Sequence, residues 1–168
     1  VGLTGDEVRV LMAVDGGIGY TNASDASNQG APTNKIYDLA EDKDTCRERH
    51  EGDAGCTHLV TEGFRVWQTY FNDRFQSYGR NVHFFVSFSE GADATPDRRR
   101  AEAALHLKNV DPFAVVSFLT EGAEDDYLRA MARKGVLNFG SFGLRDANFF
   151  NTFAGLIWSY LPSIEQYS

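Results

Sequence analysis

The residues with the clearest chemical reach are 4 histidines and 2 cysteines, and two of the histidines sit beside the cysteines. Cys46, His50, Cys56 and His58 fall in one short polar stretch and could offer thiolate and imidazole ligands to zinc, although the closing Cys-x-His pair departs from common zinc spacings. The same cysteines, ten residues apart in a glycine-containing loop, read more simply as a loop-stapling disulfide in an exported protein. Free thiols in a reducing compartment are the third option. His83 lies inside an apolar run and His106 among alanines and leucines, so both read as core histidines.

Asp15-Gly16-Gly17-Ile18-Gly19-Tyr20-Thr21 follows an apolar run, as phosphate-cradling loops do. It lacks the third glycine of a dinucleotide fingerprint and the Lys-Ser/Thr pair of a P-loop. Gly140-Ser141-Phe142-Gly143 is one residue short of a nucleophile elbow, which argues against a serine hydrolase. A phosphoacceptor domain would need an aspartate where Ser117-Phe118-Leu119-Thr120 stands. Asn22-Ala23-Ser24 is a formal glycosylation sequon, too short a pattern to carry weight.

These residues must be positioned by a regular alternation of elements. Apolar runs at Val8–Val14, Val82–Phe88, Phe113–Phe118 and Val136–Phe139 read as buried strands, and the three downstream of Cys56 alternate with helices. That order predicts an α/β protein, a three-layer α/β/α sandwich around a mostly parallel sheet. One helix starting near Thr57 carries Val60, Phe64, Trp67 and Phe71 on one apolar face, with Gly79 as its stop. A second starts at Thr95-Pro96 and is expected to bury Ala101, Ala104, Leu105 and Leu107. A third runs from about Ala123 to Lys134, with Glu124, Asp125 and Asp126 at its positive end and Gly135 after it. Residues 16 to 55 form a polar insert of weak periodicity, which in a compact domain marks either a functional loop, here read as an ordered flap, or a disordered insert.

A chain of 168 residues suits a single lobe with a real core, and a net charge of -8 disfavours nucleic acid and anionic membranes as partners. No apolar run reaches the roughly 20 residues a membrane helix needs. The chain begins at Val1, which fits a start behind a removed signal or at another boundary.

The order of Val8-Arg-Val-Leu-Met-Ala-Val14, Gly63-Phe-Arg-Val-Trp-Gln-Thr-Tyr-Phe-Asn72 and Tyr78-Gly-Arg-Asn-Val-His-Phe-Phe85 resembles the amino-terminal lobe of type 1 periplasmic substrate-binding proteins of the branched-chain amino acid transporter kind. Asp111-Pro-Phe-Ala-Val-Val-Ser117, Gly135-Val-Leu-Asn-Phe-Gly-Ser141 and Ile157-Trp-Ser-Tyr-Leu-Pro162 continue the likeness through the third strand, the fourth strand and the approach to the crossover. The resemblance implies a flavodoxin-like lobe of an exported receptor, periplasmic or at the cell surface with or without a lipid anchor. Such a receptor is not an enzyme and uses no cofactor. It closes on a small molecule and delivers it to a membrane transporter permease. Only one lobe is present in residues 1–168, so a second lobe or a second copy of the chain is expected as partner.

In that family the first lobe contacts ligand through the loops after its first, third and fourth strands. Carried onto this sequence, the contacts are Tyr20, then Thr120, Glu121 and Gly122, then Ser141 and Phe142. Amino-acid receptors hold the ligand carboxylate with hydroxyls and helix amides after the third strand. Here Glu121 puts a negative charge in that place, and Phe142 and Leu144 favour apolar contact. A cationic, aromatic or otherwise apolar ligand therefore fits better than a simple amino acid. The bland alternative for Phe142 is a core plug. From a different class, the alternative function is a flavodoxin-like enzyme or cofactor domain using the Gly16–Thr21 loop.

Overall fold

The computed structural model describes residues 2–15, 34–75, 78–89, 94–119, 124–140 and 143–167. Each apolar run becomes a strand within a residue or two of its expected place: β1 (Glu7–Asp15), β3 (Asn81–Ser89), β4 (Ala114–Phe118) and β5 (Leu137–Gly140). Two short strands join them, β2 (Ile36–Asp38) from the insert and β6 (Ile157–Trp158) near the end. Between them run α1 (Lys43–Arg49), a 3-10 turn (Ala54–Thr57), α2 (Leu59–Arg74), α3 (Pro96–Asn109), α4 (Glu124–Ala132) and α5 (Ala147–Thr152).

The strands form one six-stranded sheet in the order β2-β3-β1-β4-β5-β6. Every neighbouring pair is parallel except β2 with β3. Leaving out the antiparallel edge, the order is the 2-1-3-4-5 of flavodoxin-like sheets, and the chain reverses its direction of travel between β1 and β4.

Alternation along the strands splits the core between two faces. Leu11, Ala13 and Val115 point to one face and pack with Ala103 of α3, Leu128 and Met131 of α4 and Phe149 of α5. Met12, Val14, Phe84 and Val86 point to the other and pack with Tyr37, the two cysteines and Val60, Phe64 and Phe71 of α2. Helices thus lie on both faces.

The insert is in part an ordered edge. β2 pairs with Phe85–Ser87 and so covers part of the outer edge of β3, a row of backbone groups that would otherwise invite pairing with another chain. Farther along that edge, Gln68 accepts the Phe84 amide at 2.6 Å, while Asn72 accepts the Val82 amide at 2.8 Å and donates to the Val82 carbonyl at 3.0 Å. Cys46 and Cys56 are joined, S–S 2.08 Å, and buried against Tyr37 and Leu39. Both sulfurs are spent on each other, which removes the Cys/His zinc reading. Gly55 must be glycine, because a Cβ there would stand 2.1 Å from the Tyr37 ring.

Two helix faces differ from the sequence reading. In α3 the buried residues are Arg99, Glu102, Ala103 and His106, whereas Ala101 and Ala104 are exposed and Leu105 and Leu107 half-buried. The helix turns its charged side inward because Arg99 and Glu102 meet compensating groups at the strand ends, which outweighs the burial of small methyls. In α2, Trp67 is 53 % exposed, on the flank of the helix rather than beneath it. α2 also ends at Arg74, ahead of Gly79, which instead occupies the turn into β3 with φ +79°.

Candidate functional site

Ligands of open α/β sheets sit beyond the carboxyl ends of the strands, at the point where strand order reverses. Here that place is built on buried charge. Asp15 ends β1, Ser89 ends β3 and Ser117 stands near the end of β4, all of them buried. The first turns of α3 and α4 bring Arg99, Glu102 and Glu124 against them.

Thr95 caps α3, its hydroxyl accepting the Arg98 amide at 3.4 Å, and Pro96 occupies the first turn. That start aims the next turn at the sheet. Arg99 donates through Nη2 to Asp15 Oδ1 at 3.0 Å and through Nη1 to Glu102 Oε2 at 3.1 Å, and the Ser89 hydroxyl donates to Glu102 Oε1. One guanidinium therefore ties the ends of β1 and β3 to α3.

A second cluster lies under α4. Ser117 Oγ donates to Glu124 Oε1 at 2.8 Å and Arg145 Nη2 donates to Glu124 Oε2 at 2.6 Å. Arg145 also donates to Asp125 and, at 2.9 Å, to the Gly143 carbonyl, and its guanidinium carbon lies 5.1 Å from the centre of the Phe149 ring. The loop after β5 is thereby fixed to the start of α4.

Burial raises the pKa of Glu102 above the carboxylate range, against bonds from Ser89 and Arg99. Glu124 is likewise raised by burial, against Arg145 and Ser117. A hollow of about 290 Å³ opens on the flank of α3, lined by Asn34, Ala94, Arg98, Ala101, Glu102 and Leu105. This is near the lower limit of small-molecule sites, about 300 Å³. A larger hollow of about 540 Å³, lined by Glu7, Arg9, Gln68 and His83 among others, lies at the amino ends of the strands.

The histidines all take structural places. His106 is fully buried, Nε2 2.8 Å from Ser87 Oγ and Nδ1 2.8 Å from the Tyr127 hydroxyl, and burial lowers its pKa to about 3, so it is neutral. His83 Nδ1 lies 2.9 Å from Glu7 Oε2 and Nε2 lies 2.6 Å from Asp38 Oδ1. His58 caps α2 through Nδ1, and His50 packs against the Tyr37 ring at 4.8 Å. Among the described residues there is no group of histidine, cysteine and carboxylate side chains suited to a metal ion.

Tyr20, Thr120, Glu121, Gly122, Ser141 and Phe142 all lie outside the described residues, as does the Gly16–Thr21 loop. What is described is where their loops begin and end: Asp15, Leu119 with Glu124, and Gly140 with Gly143, all buried except Gly143. The two ion clusters sit at those anchor points and were not legible as sites in the sequence. Their signal was present as a small polar residue closing each apolar strand, followed 7 to 13 residues later by a charged residue in a helix. No protein-family model, curated protein or solved structure matches this chain.

Proposed function

We propose that the chain is a solute-binding lobe of an exported transport receptor, holding a small molecule at the carboxyl ends of β1, β4 and β5 without transforming it. The observation that carries this reading is the pair of buried ion clusters at the roots of the loops after those strands. Each charged group in them has a partner within the protein, so they brace the loops and leave recognition to the loop residues. The Cys46–Cys56 disulfide supports an oxidising compartment outside the cytoplasm. Among the described residues no helix is long and apolar enough to cross a membrane. The partner this reading calls for is a membrane transporter permease.

Recognition falls to Tyr20, Thr120, Glu121, Gly122, Ser141 and Phe142, with Glu121 facing a cationic group and the aromatic rings an apolar or cationic one. The test is thermal unfolding of the purified chain against separate panels of cationic, aromatic and simple amino acid compounds. A cationic or aromatic compound should raise the midpoint and be recovered chemically unchanged. Glu121→Gln should weaken a cationic binder at least tenfold, about 1.4 kcal/mol. Flavin absorbance or turnover in the purified protein would replace this reading with that of a cofactor domain on the Gly16–Thr21 loop.

A further inference from the structure

β2 is a three-residue antiparallel strand at the edge of the sheet, whereas β1 and β3 pair along their whole length, from Glu7 with Asn81 to Asp15 with Ser89. One ring adds a charged tie across all three strands. His83 of β3 has Nε2 2.6 Å from Asp38 Oδ1 of β2 and Nδ1 2.9 Å from Glu7 Oε2 of β1, and it stacks on Phe85 with ring centres 4.3 Å apart. The hollow at the amino ends of the strands is lined by Asp6, Glu7, Arg9 and His83, so water and protons reach the ring.

Two carboxylates on the two ring nitrogens call for two N–H donors, which only the imidazolium has. A neutral ring keeps one N–H, so one carboxylate must face a nitrogen lone pair and the other loses the help of the positive charge. Glu7 has a second donor, Arg9 Nε at 2.5 Å, on its own strand, and Arg9 is also the register neighbour of His83. Asp38 has the Ala40 amide at 2.8 Å, inside its own turn, and Arg49 of α1, which faces it from within the insert and is paired with Glu41 at 2.5 Å. The end of α3 brings the uncharged Asn109 and Val110 to the hollow that Asp38 and Arg49 line. None of these groups replaces His83 as a charged link from β2 to β3.

We propose that His83 is a proton-operated latch on β2: the imidazolium fastens the edge strand to β1 and β3, and loss of one ring proton makes local opening of that edge more frequent without unfolding the rest of the sheet. The stranded carboxylate is relieved at β2 because β1 and β3 are fixed to each other along nine residues and β2 to β3 along three. Tyr37 and Leu39 beside it are buried and the disulfide holds α1 to the 3-10 turn, so opening is a brief excursion and the proton sets how often it occurs. Burial works against the charged ring, but the bonds from Asp38 and Glu7 outweigh it, so the latch is shut below 6.5 and weakens as pH rises through the raised folded value. The insert that leaves the sheet at Asp15 rejoins it at β2, and the proton thus governs how firmly that return is anchored. The latch acts whatever the chain binds.

The test is amide hydrogen exchange of the purified 168-residue chain from about pH 5 to about pH 9, read as protection factors so that the intrinsic pH dependence of exchange cancels, with the His83 ring titrated by NMR alongside. The Leu39 amide, which donates to the Phe84 carbonyl at 3.0 Å, reports on the β2 edge, and the amides of β4, in the middle of the sheet, report on global opening. Leu39 should be less protected than β4 at every pH. Its protection should fall as pH passes the His83 midpoint and then level off, by about tenfold for each pH unit that the midpoint stands above 6.5. Asp38→Asn should flatten this step and keep the fold, because its side-chain oxygen still accepts the Ala40 amide and its NH₂ group can serve a ring lone pair. Leu39 protection that ignores pH would overturn the proposal. So would a His83 midpoint at or below 6.5, a step that survives in Asp38→Asn, or Leu39 and β4 amides equally protected throughout, which would mean that β2 opens only with the whole sheet.

Discussion

Three charged groups meet at the amino end of β3, where His83 is held between Glu7 of β1 and Asp38 of β2. Burial disfavours the imidazolium, but the bonds from Asp38 and Glu7 outweigh it and the His83 pKa is raised from its ordinary 6.5. The His83 bond, followed by that from Arg9, lowers Glu7 from 4.5. Asp38 is lowered from 3.8, with burial opposing and His83 and the Ala40 amide prevailing. The imidazolium stabilises the fold fully below 6.5 and ceases to as pH rises through its raised folded value; the carboxylates do so above 4.5 and cease as pH falls through theirs. His83→Gln should therefore lower the thermal midpoint most between 4.5 and 6.5, with the gap narrowing at higher pH. A gap independent of pH would mean that the ring acts only through its stacking on Phe85. At the other end of the sheet, Arg99→Leu strips Asp15 and Glu102 of their shared buried cation. The expected loss is about 3 to 5 kcal/mol in urea unfolding, far above a surface pair, and a loss below about 1 kcal/mol would show the cluster to be hydrated.

At the scale of elements, strand positions were legible because parallel strands buried on both faces need continuous apolar runs. The rotation of a helix about its own axis was not. α3 has alanines and leucines on a side that a hydrophobic reading buries, and only the arrival of Asp15 and Ser89 makes its Arg99–Glu102–His106 side the inner one. Phe64, Trp67, Tyr70 and Phe71 of α2 share one arc of about 120°, so Phe64 and Trp67 look equivalent in sequence although only Phe64 sits between helix and sheet. Phe64→Ala should cost about 3 kcal/mol, and Trp67→Ala about 1 kcal/mol or less. Equal losses would mean that Trp67 is packed within its own lobe.

For the molecule as a whole, the disulfide closes a loop with a sequence separation of 10 and pins β2, α1 and the 3-10 turn under α2. Paired Cys46→Ser and Cys56→Ser substitutions should remove about 2.5 to 3 kcal/mol of stability by the chain-entropy relation, read as a lower urea midpoint that reducing agent does not lower further. An unchanged midpoint would show the insert's latter part to be held by packing of Tyr37 and Leu39 alone. The sequence by itself determined the α/β class, four of the six strands and the capped start of α3, and favoured the cysteine pair as a staple over a zinc site or free thiols, because periodicity, turn residues and spacing are local and survive without neighbours. Only the tertiary structure decided the 2-1-3-4-5 strand order, the antiparallel edge made from the insert, the two ion clusters at the strand ends and the inward rotation of α3. Each of those depends on residues far apart in the chain, as Asp15 and Arg99 are at a separation of 84, and a one-dimensional pattern does not record which buried charge will meet which.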